Sequence, residues 1–411
     1  MSESASRLAA AYDLLSPAFH ADPHPVYDAM RREAPIYEMP FGGAMAVFFT
    51  RFEDVDALIS DERLQMSMTS WEGFVAASPD DPRAKLMTIS QDAMPAKDGA
   101  EHTRLRRLVN QGFTPRAMRA FDANLVALVD AWIGRVAERE RFDLHGDLAQ
   151  RVPIIAISRL LGVPEADEAR FVAWADALVQ AADPFASDAT AQAGSDAIHE
   201  LEAYVAALVA ERRGAPADDL LSSLVAAEDG SERLTLPEIQ ALCMALLVAG
   251  SETTSNLIDL GVKALIEFPD VRRQVEAAPE RIADVVEEAL RFDHPGKFLT
   301  RVAKEDFTLP GGFVLPKGAL AMCGIGAAHR DPARFPDPAR FDLDRDHRDT
   351  IVFGKGRHSC LGSRLARREG SLVLGKLLPW IAELRYDADA IEWRQSLIVR
   401  GMDRFPVERT A

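Results

Sequence analysis

The chain contains only three cysteines in 411 residues, and its 47 Lys and Arg are outnumbered by 64 Asp and Glu. So few cysteines exclude a disulfide framework and favour a reducing compartment. The net charge is −17, and no run of Lys or Arg is dense enough to form a nucleic-acid footprint. We therefore expect neither DNA nor RNA as a partner.

Long apolar runs are scarce as well. The longest, such as residues 241–250, fall far short of the roughly 20 residues that span a bilayer. Residues 1–13 lack the basic start and apolar stretch of a secretory signal. These absences predict a cytoplasmic protein without a membrane anchor. The hydrophobic content of 48% nevertheless allows a large core, and length alone would suggest two or three domains.

Helical spacing of apolar residues dominates the middle of the chain, as in residues 116–140 and 195–213. Segments rich in Val, Phe and Ile are short and scattered, so the expected fold class is mainly α with small β-sheets. The predicted strands are residues 46–51, 298–302, 307–314, 319–323 and 396–399.

One long helix is predicted in the second half of the chain. Residues 235–238 (TLPE) form a capping-box start with proline in the first turn, and the apolar pattern continues until Phe268 precedes Pro269. This helix would be about 45 Å long at 1.5 Å per residue. Its middle, residues 249–254 (AGSETT), places a glycine, an acid and two hydroxyls among apolar neighbours. Such a polar interruption lowers helix stability and indicates a functional role.

A cysteine near the C-terminus lies in the segment 353–362 (FGKGRHSCLG). Gly354 and Gly356 can adopt positive φ and leave room for a flat ligand against the backbone. A poorly solvated thiolate at Cys360 needs backbone N–H groups, cations such as His358, or a metal to offset its charge. The other cysteines, Cys243 and Cys323, lack this setting, and we expect them to be buried small hydrophobic residues.

Eight positions of this region resemble the haem-binding signature of the cytochrome P450 family: Phe353, Gly354, Gly356, His358, Cys360, Gly362, Ala366 and Glu369. The resemblance, to the soluble bacterial type, spans nearly the whole chain. It implies one roughly triangular P450 domain over residues 1–411 that encloses haem b. It also implies that Cys360 is the axial ligand to iron, a role in which a thiolate favours O–O cleavage. Gly250, Phe353, Gly354 and Gly362 would lie against the haem.

The resemblance extends to the polar centre of the long helix. Gly250, Glu252, Thr253 and Thr254 match the oxygen-activation motif of the family. The match implies that Thr253 hydrogen-bonds dioxygen or an ordered water, and that Glu252 relays protons from solvent. The chemistry needs both groups, because splitting the O–O bond consumes two protons.

Four basic residues match the family's cations for the haem propionates: His102, Arg106, Arg301 and His358. Each would donate charge-assisted hydrogen bonds. A further match is structural. Glu288 and Arg291 alone would form an ordinary surface pair at i, i+3, but the resemblance adds Arg340 as the third member of a buried ion network.

The substrate pocket is the least specific part of the resemblance. The family lines it from the loop before His102, the central helix, the strand before Arg301 and a C-terminal turn. Core packing explains any one of the corresponding residues equally well, but the set is apolar and predicts a hydrophobic small-molecule substrate. The set is Trp71, Phe74, Leu246, Val248, Ala249, Phe298, Leu299 and Ile398.

The reaction implied is insertion of one oxygen atom from O₂ into the substrate, with electrons from NAD(P)H. The chain shows no flavin or iron–sulfur segment, so ferredoxin and ferredoxin reductase are the expected partners. Basic residues near Cys360 form a possible docking patch: Arg104, Arg107, Lys355, Arg357, Arg364 and Arg367. Two alternatives remain, a peroxide-driven enzyme and a non-catalytic haem sensor. The Glu252 and Thr253 pair argues against the first, and the lack of a signalling module argues against the second.

Overall fold

The computed structural model describes residues 12–41, 44–183 and 186–410. Its helices are α1 (Pro17–Ala21), α2 (His24–Glu33), α3 (Phe52–Ser60), α4 (Arg83–Asp92), α5 (Gly99–Asn110), α6 (Pro115–Ala137), α7 (Arg151–Leu160), α8 (Glu168–Ala181), α9 (Asp188–Gly214), α10 (Leu220–Ala226), α11 (Leu236–Glu267), α12 (Pro269–Ala277), α13 (Ile282–Phe292), α14 (Ile325–Ala328) and α15 (Ser363–Ile381). A π-helical turn, His145–Ala149, precedes α7.

The strands are short, as the sequence predicts. They are β1 (Ile36–Phe41), β2 (Ala44–Phe49), β3 (Leu64–Gln65), β4 (Arg141–Asp143), β5 (Glu228–Asp229), β6 (Glu232–Arg233), β7 (Leu299–Ala303), β8 (Phe307–Thr308), β9 (Val314–Leu315), β10 (Leu320–Cys323), β11 (Leu384–Arg385), β12 (Glu392–Trp393), β13 (Met402–Arg404) and β14 (Pro406–Arg409). The prediction of a mainly α fold with small sheets is confirmed.

The largest sheet has five strands in the order β1-β2-β10-β7-β3. Only β2 and β10 run parallel within it, with Leu320 opposite Ala46. A second sheet has the order β11-β14-β4. The strand predicted at 396–399 is wrong, because this turn makes only a single bridge between Val399 and Gly296. The strand predicted at 307–314 is a hairpin of β8 and β9.

Helix α11 spans 32 residues and forms the centre of the molecule. Its predicted capping box is present, since Glu238 N donates to Thr235 Oγ1 and Thr235 N donates to Glu238 Oε2. By length and composition alone α11 would suffice to cross a bilayer, which corrects the expectation that no stretch is long enough. Most of it is buried against neighbouring helices, chiefly α7 and α15, as in the core of a globular protein.

The core has one large cluster around α11 and two smaller clusters on either side of the five-stranded sheet. Cys243 and Cys323 lie in these clusters with 2% and 0% exposure. Burial raises the pKa of each thiol to about 12. The expectation that both are inert packing residues agrees with this placement.

Candidate active site

A cavity of about 300 Å³ lies between α11, α7, the start of α15 and the segment that carries Cys360. Its walls are mostly apolar. The residues that line it include Ile157, Leu246, Ala249, Gly250, Thr253, Thr254, Leu290, Phe298, Leu299, Phe353, Gly354, His358, Cys360, Gly362, Leu365, Ala366 and Glu369. A cavity of this size and polarity is typical of a small-molecule or cofactor site.

Cys360 reaches the cavity because the preceding backbone folds tightly. Gly354 and Gly356 have φ of 66° and 67°, a region that residues with a Cβ rarely adopt. Cys360 N donates to Phe353 O at 2.8 Å, which closes the loop. The thiol of Cys360 is exposed to the cavity. The conformational role predicted for both glycines is therefore present.

The electrostatic surroundings of Cys360 suit a metal-bound thiolate. Burial raises the pKa of the Cys360 thiol, although the N–H groups of Gly362 and Ser363 and the charges of Arg106 and Arg367 oppose it. The protein alone therefore does not stabilise the thiolate fully at neutral pH, and a metal on the sulfur would supply the remaining stabilisation.

The four predicted propionate ligands lie together at one edge of this region. His102 is buried, its ring centroid lies 4.2 Å from that of His358, and its Nδ1 has no hydrogen-bond partner among the described residues. Arg106 Nη1 donates to Ser359 O at 2.9 Å. Arg301 is 2% exposed and donates to Thr300 O at 2.8 Å. In the part of the chain that the structure describes, neither arginine forms an ion pair with a carboxylate.

The buried basic groups at this edge favour the binding of an anionic ligand. Burial lowers the pKa of His102 to about 4, with a smaller contribution from His358, and burial also lowers the pKa of Arg106 and of Arg301. An anionic ligand at this edge would offset these desolvation costs. A cysteine, an apolar slot and a cationic edge therefore fit haem b with its two propionates.

Asp98 also belongs to this edge, although the sequence analysis did not predict it. Its carboxylate lies 3.4 Å from His358 Nε2 and accepts the N–H groups of Met66 and Ser67. Burial opposes ionisation, yet the hydrogen bonds from His358 and from this backbone outweigh it and lower the pKa of Asp98 to about 2. Asp98 thus orients His358. The sequence feature that could have indicated Asp98 is its position directly before α5, the helix that carries His102.

The polar centre of α11 forms the other side of the cavity. Thr253 lines it, and its Oγ1 donates to Ala249 O at 2.7 Å. A Cβ at Gly250 would lie 2.7 Å from Ile157 Cδ1, so the glycine permits the close approach of α11 to α7. The structure therefore brings Thr253 and Cys360 to one cavity.

Glu252 faces a different space, a wider cavity of about 800 Å³ that shares Ala249 and Thr253 with the first. Glu252 Oε1 accepts a hydrogen bond from Arg394 Nη1, and Arg394 Nε donates to Asp403 Oδ1 at 2.7 Å. Burial raises the pKa of Glu252, and Arg394 opposes this effect. Arg394 was not predicted, because the irregular segment that carries it gives no periodic signal in the sequence.

The predicted pocket residues divide into three groups. Leu246, Ala249, Phe298 and Leu299 line the cavity beside Cys360. Val248 and Ile398 line the wider cavity only.

The prediction is wrong for Trp71 and Phe74, which line neither of these two cavities. Trp71 packs against Phe41, with ring centroids 5.7 Å apart, and Phe74 joins the same cluster at the five-stranded sheet. Loop residues have no periodicity from which the sequence could tell a packed aromatic ring from a pocket wall.

The buried ion network around Glu288 is present with a different third member. Arg291 donates to both carboxylate oxygens of Glu288, at 2.7 and 2.9 Å, and both side chains are fully buried. The guanidinium that completes the network belongs to Arg345, with Nε 3.3 Å from Glu288 Oε1 and only 9% of the side chain exposed. His347 adds a further contact at 3.5 Å.

The prediction of Arg340 in this role is wrong. Its side chain is 69% exposed and pairs with Asp342, while its backbone oxygen accepts from Arg291 and Arg345. The backbone turns at Asp337, three residues before Arg340: the φ of Asp337 is 49°, in the left-handed region, and Arg340 N donates to Asp337 O at 2.9 Å. Sequence spacing could not predict that turn.

The basic patch expected near Cys360 is largely neutralised by neighbouring acids. Five of its members form ion pairs: Lys355 with Asp56, Arg357 with Glu62, Arg367 with Glu287, Arg104 with Glu238, and Arg107 with Asp229 and Glu232. Of these six residues, only Arg364 is exposed and forms no ion pair with the residues that the structure describes. The patch is therefore weaker than the sequence suggests.

Comparisons with known proteins agree with this geometry. The sequence model described as Cytochrome P450 matches residues 14–379. The chain is 37% identical over 401 residues to vitamin D(3) 25-hydroxylase of Pseudonocardia autotrophica, covering 96% of each chain. It is 34% identical over 409 residues to 6-deoxyerythronolide B hydroxylase of Saccharopolyspora erythraea, covering 96% of this chain and 98% of the relative. The solved structure of the P450 PksS from the Bacillus subtilis bacillaene polyketide synthase superposes with a TM-score of 0.87 at 32% identity, covering 97% of this chain and 100% of the other.

Proposed function

Because the chain belongs to the cytochrome P450 family and is thus a monooxygenase with haem b as its cofactor, we propose that it inserts one oxygen atom from O₂ into a hydrophobic small organic molecule. The observation that carries this proposal is the placement of Cys360 and Thr253 on one apolar cavity. The bound haem supplies the activation of O₂, and the residues around it supply position, charge and protons.

In this proposal Cys360 would hold the haem iron through its thiolate, and the loop from Phe353 to Gly362 fixes the direction of the cysteine. Phe353, Gly354, Gly362 and Gly250 all line this cavity and would lie against the haem. A Cβ built on Gly362 would meet no atom within 4 Å, which is space that the cofactor would fill. We assign His102, Arg106, Arg301 and His358 to the propionates, because each is a buried or half-buried donor at the same edge.

Proton delivery is assigned to the pair in the middle of α11. Thr253 Oγ1 lies at the junction of the two cavities, where it can orient water toward the reacting oxygen. Glu252 lines the wider cavity and has a raised pKa, so it can exchange protons with solvent. In this scheme the Thr253 hydroxyl orients the water that gives up a proton to the reacting oxygen. The Glu252 carboxyl then replaces that proton.

We place the hydrophobic substrate in the cavity beside Cys360. Leu246, Ala249, Phe298 and Leu299 form its walls, while polar groups such as Gln180 and Gln395 line the wider cavity beyond Thr253. An apolar end beside Cys360 and a more polar end toward solvent is the arrangement that minimises desolvation costs. Hydroxylation is the favoured outcome, because two of the relatives are named as hydroxylases.

Electrons are proposed to come from NAD(P)H through ferredoxin and ferredoxin reductase, and the enzyme is proposed to work in the cytoplasm as one catalytic domain. Because acids pair with the other basic residues of the predicted docking patch, Arg364 is the main positive charge on this surface for an acidic partner. P450 enzymes use redox partners, and we propose ferredoxin as the partner of this one.

The experiment compares two electron sources with a substrate found by optical titration of apolar compounds. With NADH, ferredoxin, reductase and O₂, the haem-loaded protein should form a product that contains one oxygen atom from labelled O₂. Product formation with hydrogen peroxide alone, and none with the redox partners, would favour the peroxide-driven alternative. Failure of both systems to give product would contradict the proposed function.

A further inference from the structure

A small polar cavity of about 30 Å³ is lined by Glu252 and not by Cys360. This volume accommodates about two water molecules, since one water needs roughly 10 to 15 Å³. It is bounded by α11, α7, α8 and the π-helical turn. The polar residues that face it include His145, Asp176, Ser255, Glu252 and Arg394. A water in this cavity would have the two to four polar partners that hold it in place.

His145 is oriented within this cavity by a fully buried acid. Its Nδ1 lies 2.6 Å from Asp259 Oδ2, and Asp259 has no exposed surface. Asp259 follows Glu252 by seven residues, or about two helical turns, so both acids project from the same face of α11. Because Asp259 occupies Nδ1, the imidazole presents Nε2 to the cavity.

The charges that face His145 favour the imidazolium. Burial alone lowers the pKa of His145, but the charge and hydrogen bond of Asp259 outweigh it, so the net shift is upward. Asp143 from β4 adds to this effect, Glu252 on α11 and Asp176 on α8 face the same ring, and Arg394 opposes. Carboxylates outnumber cations around the ring, which suits a proton donor that works near neutral pH.

This inference rests on the proposed function. We propose that His145, which Asp259 holds in position, is the proton donor that returns protons to Glu252 through water in this small cavity. Glu252 Oε1 is engaged by Arg394, which leaves Oε2 to receive the proton. His145 Nε2 donates one proton to a cavity water, and that water donates one proton to Glu252 Oε2. Nε2 then takes a proton from solvent, and no atom changes oxidation state.

The route matters when substrate is bound. The small cavity adjoins the wider one, because His145, Asp176, Glu252 and Arg394 line both, and a substrate that enters the wider cavity displaces water there. At about 30 Å³ the small cavity is too small for an organic molecule, so its water remains. Proton supply then depends on His145 in the state in which the reaction takes place.

The first test is a histidine titration by nuclear magnetic resonance in the diamagnetic reduced carbon monoxide complex. The His145 signal is assigned by its absence in His145→Gln or, if that variant is unstable, in His145→Tyr. We expect His145 to titrate above the ordinary histidine pKa of about 6.5, and to titrate lower in Asp259→Asn and in Glu252→Gln. A ring that stays neutral from about pH 6 to pH 8, or that ignores both substitutions, overturns the proposal.

The second test measures hydrogen peroxide released per O₂ consumed, with NADH and excess ferredoxin and reductase in H₂O and D₂O. His145→Gln and Asp259→Asn should each raise the peroxide fraction severalfold and enlarge the solvent isotope effect, with haem content unchanged. His199→Gln is the matched control, because His199 is 64% exposed on α9. Adding His145→Gln to Glu252→Gln should have no further effect. Wild-type values in His145→Gln overturn the relay, whereas loss of all oxygen consumption in the wild type contradicts the proposed function instead.

Discussion

At the scale of the residue, Thr253 and Glu252 on α11 have different proposed roles in proton delivery. Thr253 and Glu252 are adjacent in sequence, but of the two only Thr253 lines the cavity beside Cys360, so their substitutions should differ. Thr253→Ala should bind haem and substrate normally yet give severalfold less product per NADH, because water is no longer oriented at the reaction. The check is product and hydrogen peroxide per NADH consumed. Thr253→Ser, which keeps the hydroxyl, should restore the yield, and an unchanged yield in Thr253→Ala would remove Thr253 from the mechanism.

A second residue-scale prediction concerns Glu369, which lines the cavity beside Cys360 and is 1% exposed. Burial raises its pKa to about 8, and Oε1 has no partner among the described residues. The folded state therefore holds this proton more tightly than the unfolded state does. The free energy of unfolding should fall as pH rises from about 4.5 to about 8, by up to about 1.4 kcal/mol per unit from this group.

Glu369→Gln should remove that contribution and flatten the profile. Denaturant unfolding of both proteins at several pH values measures the difference. Identical slopes in this window would show that Glu369 is ionised in the folded protein.

At the scale of the element, the Glu288 network joins α13 to the irregular segment before the Cys360 loop. Arg345→Ala should lower the free energy of unfolding by about 3 kcal/mol, because it leaves a buried carboxylate with one fewer cation. Arg340→Ala is the matched control and should change it by less than about 0.5 kcal/mol, since an exposed pair contributes little. Chemical unfolding and haem content would show the difference. Equal effects of the two substitutions would contradict this placement.

The sequence predicted the regular elements better than their irregular connections. The capping box and apolar spacing of α11 gave its limits closely, because both signals are local. The cysteine loop was also predictable, since Gly354 and Gly356 are required by local φ values. Tertiary packing joins segments that are far apart in the sequence. The sequence therefore could not predict the roles of Arg345 and Arg394 or the pairing of His145 with Asp259. The prediction that Trp71 and Phe74 line the substrate pocket was wrong because both lie in a loop, where the sequence has no periodicity.

At the scale of the whole molecule, electron delivery depends on a protein whose net charge is −17. An acidic ferredoxin would be repelled overall, so docking needs a local positive group near Cys360. Arg364, in the first turn of α15, is exposed and forms no ion pair with the described residues. Arg364→Glu should slow ferredoxin-driven reduction severalfold and flatten its dependence on salt.

Stopped-flow reduction at increasing ionic strength measures this rate. The control is Arg213→Glu on α9, which removes an exposed arginine from a helix that packs chiefly on α8. Substrate affinity should not change in either variant. A wild-type rate that does not depend on salt would exclude electrostatic docking.

The central claim is that Cys360 ligates the haem iron, and the absorption spectrum of the reduced carbon monoxide complex tests it most directly. The wild-type protein should show the red-shifted band of a thiolate ligand, because a thiolate pushes electron density toward the metal. Cys360→His should abolish that band, whereas Cys243→Ser and Cys323→Ser, at buried sites away from the cavity, should keep it. Persistence of the band in Cys360→His would contradict the account.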